Sequence, residues 1–383
     1  MRLSVLAPSN PDDGRVAATP DTVRSLTARG VDVVVEAGAG MRAGHGDDAY
    51  VEAGAQVAPT GAALEGAEVV AVVGPPPPER IEHLPSGCIL VGLLRPVHEA
   101  RFAARLAERG VTAFAMELIP RISRAQAMDA LSSQAGIAGY KAVLLAANAL
   151  DKLFPLSMTA AGTIRPANVI VLGAGVAGLQ AIATARRLGA RVQANDVRAA
   201  AADEVASLGA EFIHIPGVTD QTGEGGYAQV LGEDLAAAQQ QALEPHLAKA
   251  DAVICTAQIP GRRAPLLLPA AAVEAMPAGS VVVDLPAEDG GNCALTDPER
   301  VVEHQGVTII PAPQLARTLP QEASALYARN VANLVALLLD DDGHLHLDLD
   351  DEVVAGTLYV HDHQVVHAPT AAVLAAAGGS ETA

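Results

Sequence analysis

The stretch VIVLGAGVAGLQAIATARRLGARVQANDVR, residues Val169 to Arg198, reads as one complete strand–turn–helix–strand unit. Val169 to Leu172 is an apolar run of strand type. It enters Gly173-Ala174-Gly175-Val176-Ala177-Gly178, which opens an Ala- and Leu-rich helix closed by Gly189, and a second strand then ends at Asp196. Each glycine has a physical task in such a unit. Gly173 permits the tight turn, Gly175 lets backbone N–H groups approach a pyrophosphate at the positive end of the helix, and Gly178 lets helix and strand pack closely. Asp196 stands where a carboxylate accepts the two hydroxyls of an adenosine ribose and repels a 2′-phosphate, which favours NAD(H) over NADP(H). Arg198 lies two residues on and reads as a surface or pyrophosphate-side cation. The alternative is a glycine-rich turn with no ligand; strand, fingerprint, helix and terminal acid together favour a dinucleotide site.

Working outward, the 383-residue chain is long enough for two domains with separate cores. Half of it is hydrophobic but only 2% is aromatic, so those cores must be built from Ala, Val and Leu at short range, which suits α/β layers. A net charge of −19 argues against nucleic acid or an anionic membrane surface as a direct partner. Cys88, Cys255 and Cys293 are far apart and contain no CxxC, as expected of buried thiols in a reducing cytoplasm and not of a disulfide framework or a zinc site. The N-terminal apolar run is too short for a signal peptide, and no stretch has the length and uniform apolarity of a membrane span, so no direct membrane insertion is expected.

Ahead of the fingerprint, Leu3 to Ala7, Val31 to Glu36, Val69 to Val73, Ile89 to Leu94 and Val111 to Ala115 read as strands separated by helices at Pro20 to Arg29 and Glu99 to Arg109. This is a parallel α/β pattern without a glycine fingerprint of its own. A long helix is expected from about Ala125 to Leu150, with Ser123-Arg124-Ala125-Gln126 as its capping box. After the fingerprint, strands are expected at Glu211 to Ile215, Ala252 to Thr256, Ser280 to Leu285 and Val307 to Ile310. Gly217 to Gln241 reads as a functional loop or lid, or else as a surface insertion with a short helix. A last helix, about Gln321 to Leu339, precedes two alternating stretches, Leu345 to Val354 and Thr357 to His367, which read as a terminal hairpin. The histidines at 344, 346, 361, 363 and 367 have no metal-ligand spacing, and no metal is expected. The fold class is thus α/β, with two Rossmann-like doubly wound parallel sheets. Residues 1–134 with 318–383 would form the first domain and 135–317 the second, dinucleotide-binding one.

Four stretches carry a more specific signal: MELIPRISRAQAMDALSSQAGIAGYKA (Met116 to Ala142), GVAGLQAIATARRLGA (Gly175 to Ala190), GGYA (Gly225 to Ala228), and the pair IPGRRAP and SVVVDLPAEDGGNC (Ile259 to Pro265, Ser280 to Cys293). With GRVAATP, VVVEAGAG and VASLGAEFI they resemble the NAD(H)-binding domain I of proton-translocating transhydrogenase, in the family that also holds alanine dehydrogenase. The resemblance implies a loop beside the nicotinamide carrying Arg121, Gln126 and Asp129 as catalytic residues. It also implies a cofactor set of Ser132, Gly173, Gly175, Val176, Gly178, Asp196, Val197, Arg198, Tyr227 and Ala257. A fixed Arg and Asp can pair and stiffen that loop, while a Gln amide can orient a carboxamide or ribose. A capping box with an exposed Gln and Asp is the plainer reading of the same residues. Tyr227 would belong to a mobile loop that closes over nucleotide.

Departures from the pattern matter too. Alanine dehydrogenases carry a Lys and a His that bind and protonate the keto acid, and here Gly74 and Arg95 lie in their places. Arg15 remains as a carboxylate binder, but reductive amination needs proton transfer and hydride exchange between two nicotinamides does not. Ser9-Asn10 near the start, and Pro286 and Asp289 in the GGNC segment, also differ from the family pattern. The expected role is therefore the NAD(H)-binding subunit of a transhydrogenase, exchanging hydride with NADP(H) on a partner subunit. Membrane-spanning partner subunits would hold it at the membrane from the cytoplasmic side, and the resemblance implies a homodimer. An alanine dehydrogenase-like enzyme and a non-catalytic NAD sensor are the alternatives.

Overall fold

A computed structural model of the chain describes residues 1–217, 220–223, 228–229, 231–259, 261–340 and 342–379. It divides into two compact units, Met1–Gln134 with Arg317–Ala383, and Ala135–Ala316.

The first unit contains β1 (Arg2–Val5), β2 (Asp32–Glu36), β3 (Gln56–Ala58), β4 (Val69–Ala71), β5 (Ile89–Gly92) and β6 (Thr112–Ala115). They lie in the order β3-β2-β1-β4-β5-β6, all parallel, with Val5 paired to Val35 on one side and to Ala71 on the other. Central strands buried on both faces read as unbroken apolar runs, and β4 and β5 are buried at every residue. The helix Pro20–Thr27 starts in a reciprocal capping box between Thr19 and Thr22. The helix Ala100–Arg109 ends at Gly110, whose φ of +71° suits the left-handed cap. Three tyrosines are deep in this unit and each phenol finds a carbonyl: Tyr50 donates to Ala18 (2.9 Å), Tyr327 to Val72 (2.7 Å) and Tyr359 to Pro96 (3.3 Å).

In the second unit, β7 (Ser157–Thr159) and β8 (Gly162–Ile164) form a short separate hairpin. The main sheet comprises β9 (Asn168–Leu172), β10 (Arg191–Asn195), β11 (Glu211–Phe212), β12 (Ala252–Cys255), β13 (Val281–Asp284), β14 (Val302–His304) and β15 (Val307–Pro311). Its order is β11-β10-β9-β12-β13-β15-β14, parallel except for the last pair. Along β9, Val169 and Val171 enter one hydrophobic core while Ile170 and Leu172 enter the other, so the sheet is covered on both faces. The expected α/β class with doubly wound parallel sheets is therefore what the chain adopts. The thiols of Cys88, Cys255 and Cys293 are all buried. Among the described residues no helix is long and apolar enough to cross a membrane.

Several local expectations need correction. The capping box at Ser123 does not form: Ser123–Met128 is a 3₁₀ segment, and the long helix runs Ala130–Ala149. Asp129 caps it instead, because its carboxylate reaches the Ser132 N–H of the first turn, which Ser123 is too far back to serve. Of Gly217 to Gln241, the part from Glu233 on is helix (Glu233–Leu247), longer than the short helix of the insertion reading, because Ala and Gln propensity outweighs polarity. The terminal hairpin is smaller than the alternation suggested. Both paired strands, β16 (Leu358–His361) and β17 (Gln364–Val365), come from the second stretch and extend the first sheet antiparallel beyond β6, while Leu345 makes a single bridge to Leu339. Leu345 to Val354 is not a strand, and Glu352–Thr357 is helical. The helix Ala368–Gly379 follows the hairpin.

Asp351 initiates that short helix. Its Oδ1 accepts from Val353 N (2.8 Å) and Val354 N (3.2 Å), and Arg124 binds both oxygens at 2.7 and 2.8 Å. The Arg124 guanidinium, with the two N–H groups, holds the carboxyl pKa down to about 2. A depressed pKa adds stability above the ordinary value of 3.8, and that stability disappears as pH falls through about 2. Asp351→Ala is expected to cost about 1 kcal/mol near neutral pH, chiefly as a lost cap because the ion pair is exposed. Thermal melts as a function of pH check this: the gap between wild type and variant should close between pH about 4 and about 2.

Candidate functional site

The turn after β9 takes its shape from two absent side chains. Gly173 has a φ of +93°, and a Cβ on it would lie 2.8 Å from the Ala257 nitrogen and 2.8 Å from Thr256 Oγ1. A Cβ on Gly178 would overlap the Gly173 carbonyl oxygen. That carbonyl is meanwhile bound by the Thr256 hydroxyl (2.9 Å), while Gly173 N donates to Asn195 O (2.8 Å). Gly175 differs from both. It is exposed, its φ is −74°, and nothing lies within 4 Å of where its Cβ would be. Val176, 42% exposed, then opens the helix Val176–Arg187, so the positive end of that helix faces open space.

At the tip of β10, Asp196 closes the other side. Its Oδ2 accepts from Ala174 N (2.7 Å), tying the acid to the glycine turn. Arg198 binds both oxygens, through Nε to Oδ1 and Nη2 to Oδ2 (3.0 Å each), and its backbone N–H adds a bond to Oδ1 (2.9 Å). Of the two sequence readings of Arg198, surface or pyrophosphate-side cation, the surface one therefore does not hold. Arg198 is half-buried against Asp196, whose side chain is only 7% exposed, and this hydrogen bond raises the guanidinium pKa. Beside the pair lies a cavity of about 200 Å³ between Asp196, Val197, Ala199 and Ala202 on one side and Phe212, His214 and Ile215 on the other. Gln221 N donates to Val197 O (3.1 Å) and Asp220 receives Ala199 N (3.1 Å), so the chain beyond β11 is stitched to the cavity's edge.

Ala257, at the tip of β12, completes the group in this unit. The sequence does not single out Asn292, which supports Ala257, or Thr256, which binds the Gly173 carbonyl; the GGNC signature contains Asn292, but nothing local says what a buried amide faces. Tyr227 lies outside the described residues.

In the first unit, Asp129 and Ser132 come together: Asp129 Oδ1 receives Ser132 N (2.8 Å) and Oδ2 receives Ser132 Oγ (2.6 Å). Both Asp129 oxygens thus serve the first turn of the helix Ala130–Ala149. Arg121 and Gln126 are exposed. Just after Gln126 the chain is held from the helix Pro320–Leu337, where Asn330 and Asn333 donate to Ala127 O at 2.8 and 3.1 Å. Arg15 is buried, paired with Asp13 (2.9 and 2.6 Å) and donating to Gln134 Oε1 (2.9 Å). Its guanidinium thus serves the interior. The main chain at Leu94 and Arg95 is tied to the half-buried carboxylate of Glu117 (3.0 and 2.7 Å), whose pKa desolvation raises.

Two Rossmann-ordered sheets, one with an open glycine turn and a strand-tip acid, define the class. The signature described as Alanine dehydrogenase/PNT, N-terminal domain, matches residues 5–138, and that described as Alanine dehydrogenase/PNT, C-terminal domain, matches residues 142–368. The chain belongs to this alanine dehydrogenase/PNT family. Within the family it is similar to an NAD(P) transhydrogenase subunit alpha chain of Rhodospirillum rubrum, at 44% identity over 96% of this chain and 98% of the relative. The transhydrogenase structure from Sinorhizobium meliloti superposes with a TM-score of 0.87 at 42% identity, covering 96% of this chain and all (100%) of the other. An L-alanine dehydrogenase structure gives 0.82 at 28% identity, over 98% and 99% of the two chains.

The two glycines make opposite demands on a side chain. Gly178→Ala is expected to destabilise the protein by about 1–3 kcal/mol, because backbone stands where the methyl must go. Gly175→Ala should leave the melting temperature within about 1 °C of wild type, since a change of well under 0.5 kcal/mol is expected at an open site. Calorimetry on both variants checks the contrast.

Proposed function

We propose that the chain is the NAD(H)-binding subunit of a proton-translocating NAD(P) transhydrogenase, with NADP(H) on a partner subunit and proton movement in a separate membrane subunit. The observation that carries this reading is the open glycine turn joined to Asp196 through Ala174 N. The helix at Val176 and the free space at Gly175 suit a pyrophosphate. The cavity beside Val197 suits the adenine. Ribose hydroxyls take the place of the Arg198 guanidinium on the two Asp196 oxygens. The chemistry that NADH supplies when bound is direct hydride donation to NADP⁺ on the partner. Arg121, Gln126, Asp129 and Ser132 act on the nicotinamide end, with Asp129 and Ser132 keeping the segment in shape and Gln126 presenting its amide. The same reading gives Tyr227 the part of a tyrosine that covers bound nucleotide, and makes the subunit a homodimer held at the cytoplasmic side of the membrane by its partners.

An alanine dehydrogenase activity is less well supported. Gly74 and Arg95 supply neither the Lys nor the His, and Arg15 is already engaged by Asp13 and Gln134.

Equilibrium titration tests the nucleotide assignment. NADH should bind and NADPH bind poorly. Asp196→Ala should weaken NADH by about tenfold to a hundredfold, the cost of hydrogen bonds to a charged acceptor, while narrowing the gap to NADPH by removing the repulsive charge. Equal affinity of the wild type for both nucleotides would overturn the assignment.

Gln126 separates catalysis from binding. Gln126→Ala should change NADH affinity by no more than about 1 kcal/mol, as for one solvated neutral hydrogen bond. Hydride transfer to an NADP-loaded partner, followed by single-turnover stopped flow, should fall by about a hundredfold because the reacting rings lose alignment. Equal losses in rate and affinity would reduce Gln126 to a binding residue.

A further inference from the structure

The segment Gly290-Gly291-Asn292-Cys293 folds around the carboxylate of Asp284, the last residue of β13. Asp284 is fully buried. Its Oδ1 receives Asn292 N (3.1 Å), and its Oδ2 receives Cys293 N (3.2 Å) and Thr296 Oγ1 (2.6 Å). The fit requires glycine at 291, which has a φ of +70° and whose Cβ would lie 2.6 Å from Asp284 Oδ2. A carboxylate without water survives there because several donors share its charge.

This turn aims one side chain. Asn292 is fully buried, and its amide reads the main chain of Ala257 in both directions: Ala257 N donates to Oδ1 (3.1 Å) and Nδ2 donates to Ala257 O (2.9 Å). The second Nδ2 hydrogen goes to Pro265 O (2.8 Å). An amide matched to both polar groups of one residue behaves as a short stretch of added strand, and leaves that residue no rotational freedom. Ala257 is the residue against which Gly173 is pressed, and β9 and β12 are the two strands flanking the point where the strand order reverses. Ligands of such sheets bind in that crevice.

We infer that Asn292, held by Asp284, is a positioning residue that sets the Ala257 main chain for the pyrophosphate and nicotinamide ribose of the dinucleotide. The adenosine half depends on Asp196, on the opposite side of the glycine turn. This rests on the dinucleotide reading above. It assigns the GGNC turn a role in holding one half of the ligand and not the other.

The experiment measures NADH and AMP binding to the full chain by equilibrium titration, in wild type, Asn292→Ala and Asn292→Asp. The aspartate keeps the acceptor for Ala257 N but sets an anion against two carbonyls. NADH should weaken by about tenfold in each variant, while AMP stays within about twofold. Ala257 amide exchange, followed by NMR, should be slow in the ligand-free wild type and faster in the variants. If NADH and AMP weaken equally, the turn is a general scaffold and the inference fails; unchanged affinities for both also overturn it. Should neither variant fold, a rapidly exchanging Ala257 amide in the wild type would overturn it, and a protected one would support the clamp. A wild type that binds AMP and NADH with no detectable affinity would instead refute the dinucleotide reading itself.

Discussion

The nucleotide turn depends on the space of one missing methyl group. Gly178 lies so close to the Gly173 carbonyl that any side chain would meet backbone, and backbone cannot swing aside. That contact brings the helix Val176–Arg187 down onto β9 and leaves its first N–H groups pointing outward past Gly175. Gly173, with its positive φ, in turn reaches Ala257 across the crevice. Thr256, Asp196 and Asn292 all bind to this turn or to what it touches, so their positions are consequences of that close approach.

The two units share a strand order but treat its central crevice differently. In each, the second strand ends in an acid tied to an N–H just beyond the first strand: Glu36 to Ala7 N (2.7 Å), Asp196 to Ala174 N (2.7 Å). Glu36 is only 5% exposed, and it is further bound by Arg80 through both oxygens (3.1 and 3.0 Å) and by the Thr60 hydroxyl. Its charge is spent inside the fold. Asp196 has one cation from its own strand tip and a cavity beside it. The same topology therefore yields a carboxylate braced by several groups inside one unit and, in the other, a carboxylate covered by one arginine at the edge of a cavity.

Much of this was legible in the chain. Apolar runs located the inner strands because strands buried on both faces carry little else, whereas β3, β7, β8 and β14 are short, partly exposed and have no such run. The terminal hairpin was overdrawn because alternation at Leu345 to Val354 arises from residues packing singly against a core, not from a strand. For Arg198 the surface alternative fails, since local sequence shows a cation two residues from an acid but not that both fold into one half-buried pair. Ser123 looked like a cap; the helix begins at Asp129 because the tertiary ties of Ala127 to Asn330 and Asn333 hold the preceding segment in 3₁₀ form.

By itself the sequence determined what depends on neighbours along the chain: the βαβ unit, its three glycines, the acid at its end and the α/β class. Those features follow from local geometry, where a turn, a helix start and an alternating core are written within a few residues. Only the tertiary structure decided which polar groups meet across long separations. Arg15 is assigned to Asp13 and Gln134, Asn292 to Ala257, and Ala127 to Asn330 because buried donors and acceptors must find partners wherever packing brings them, and no spacing in the chain records that.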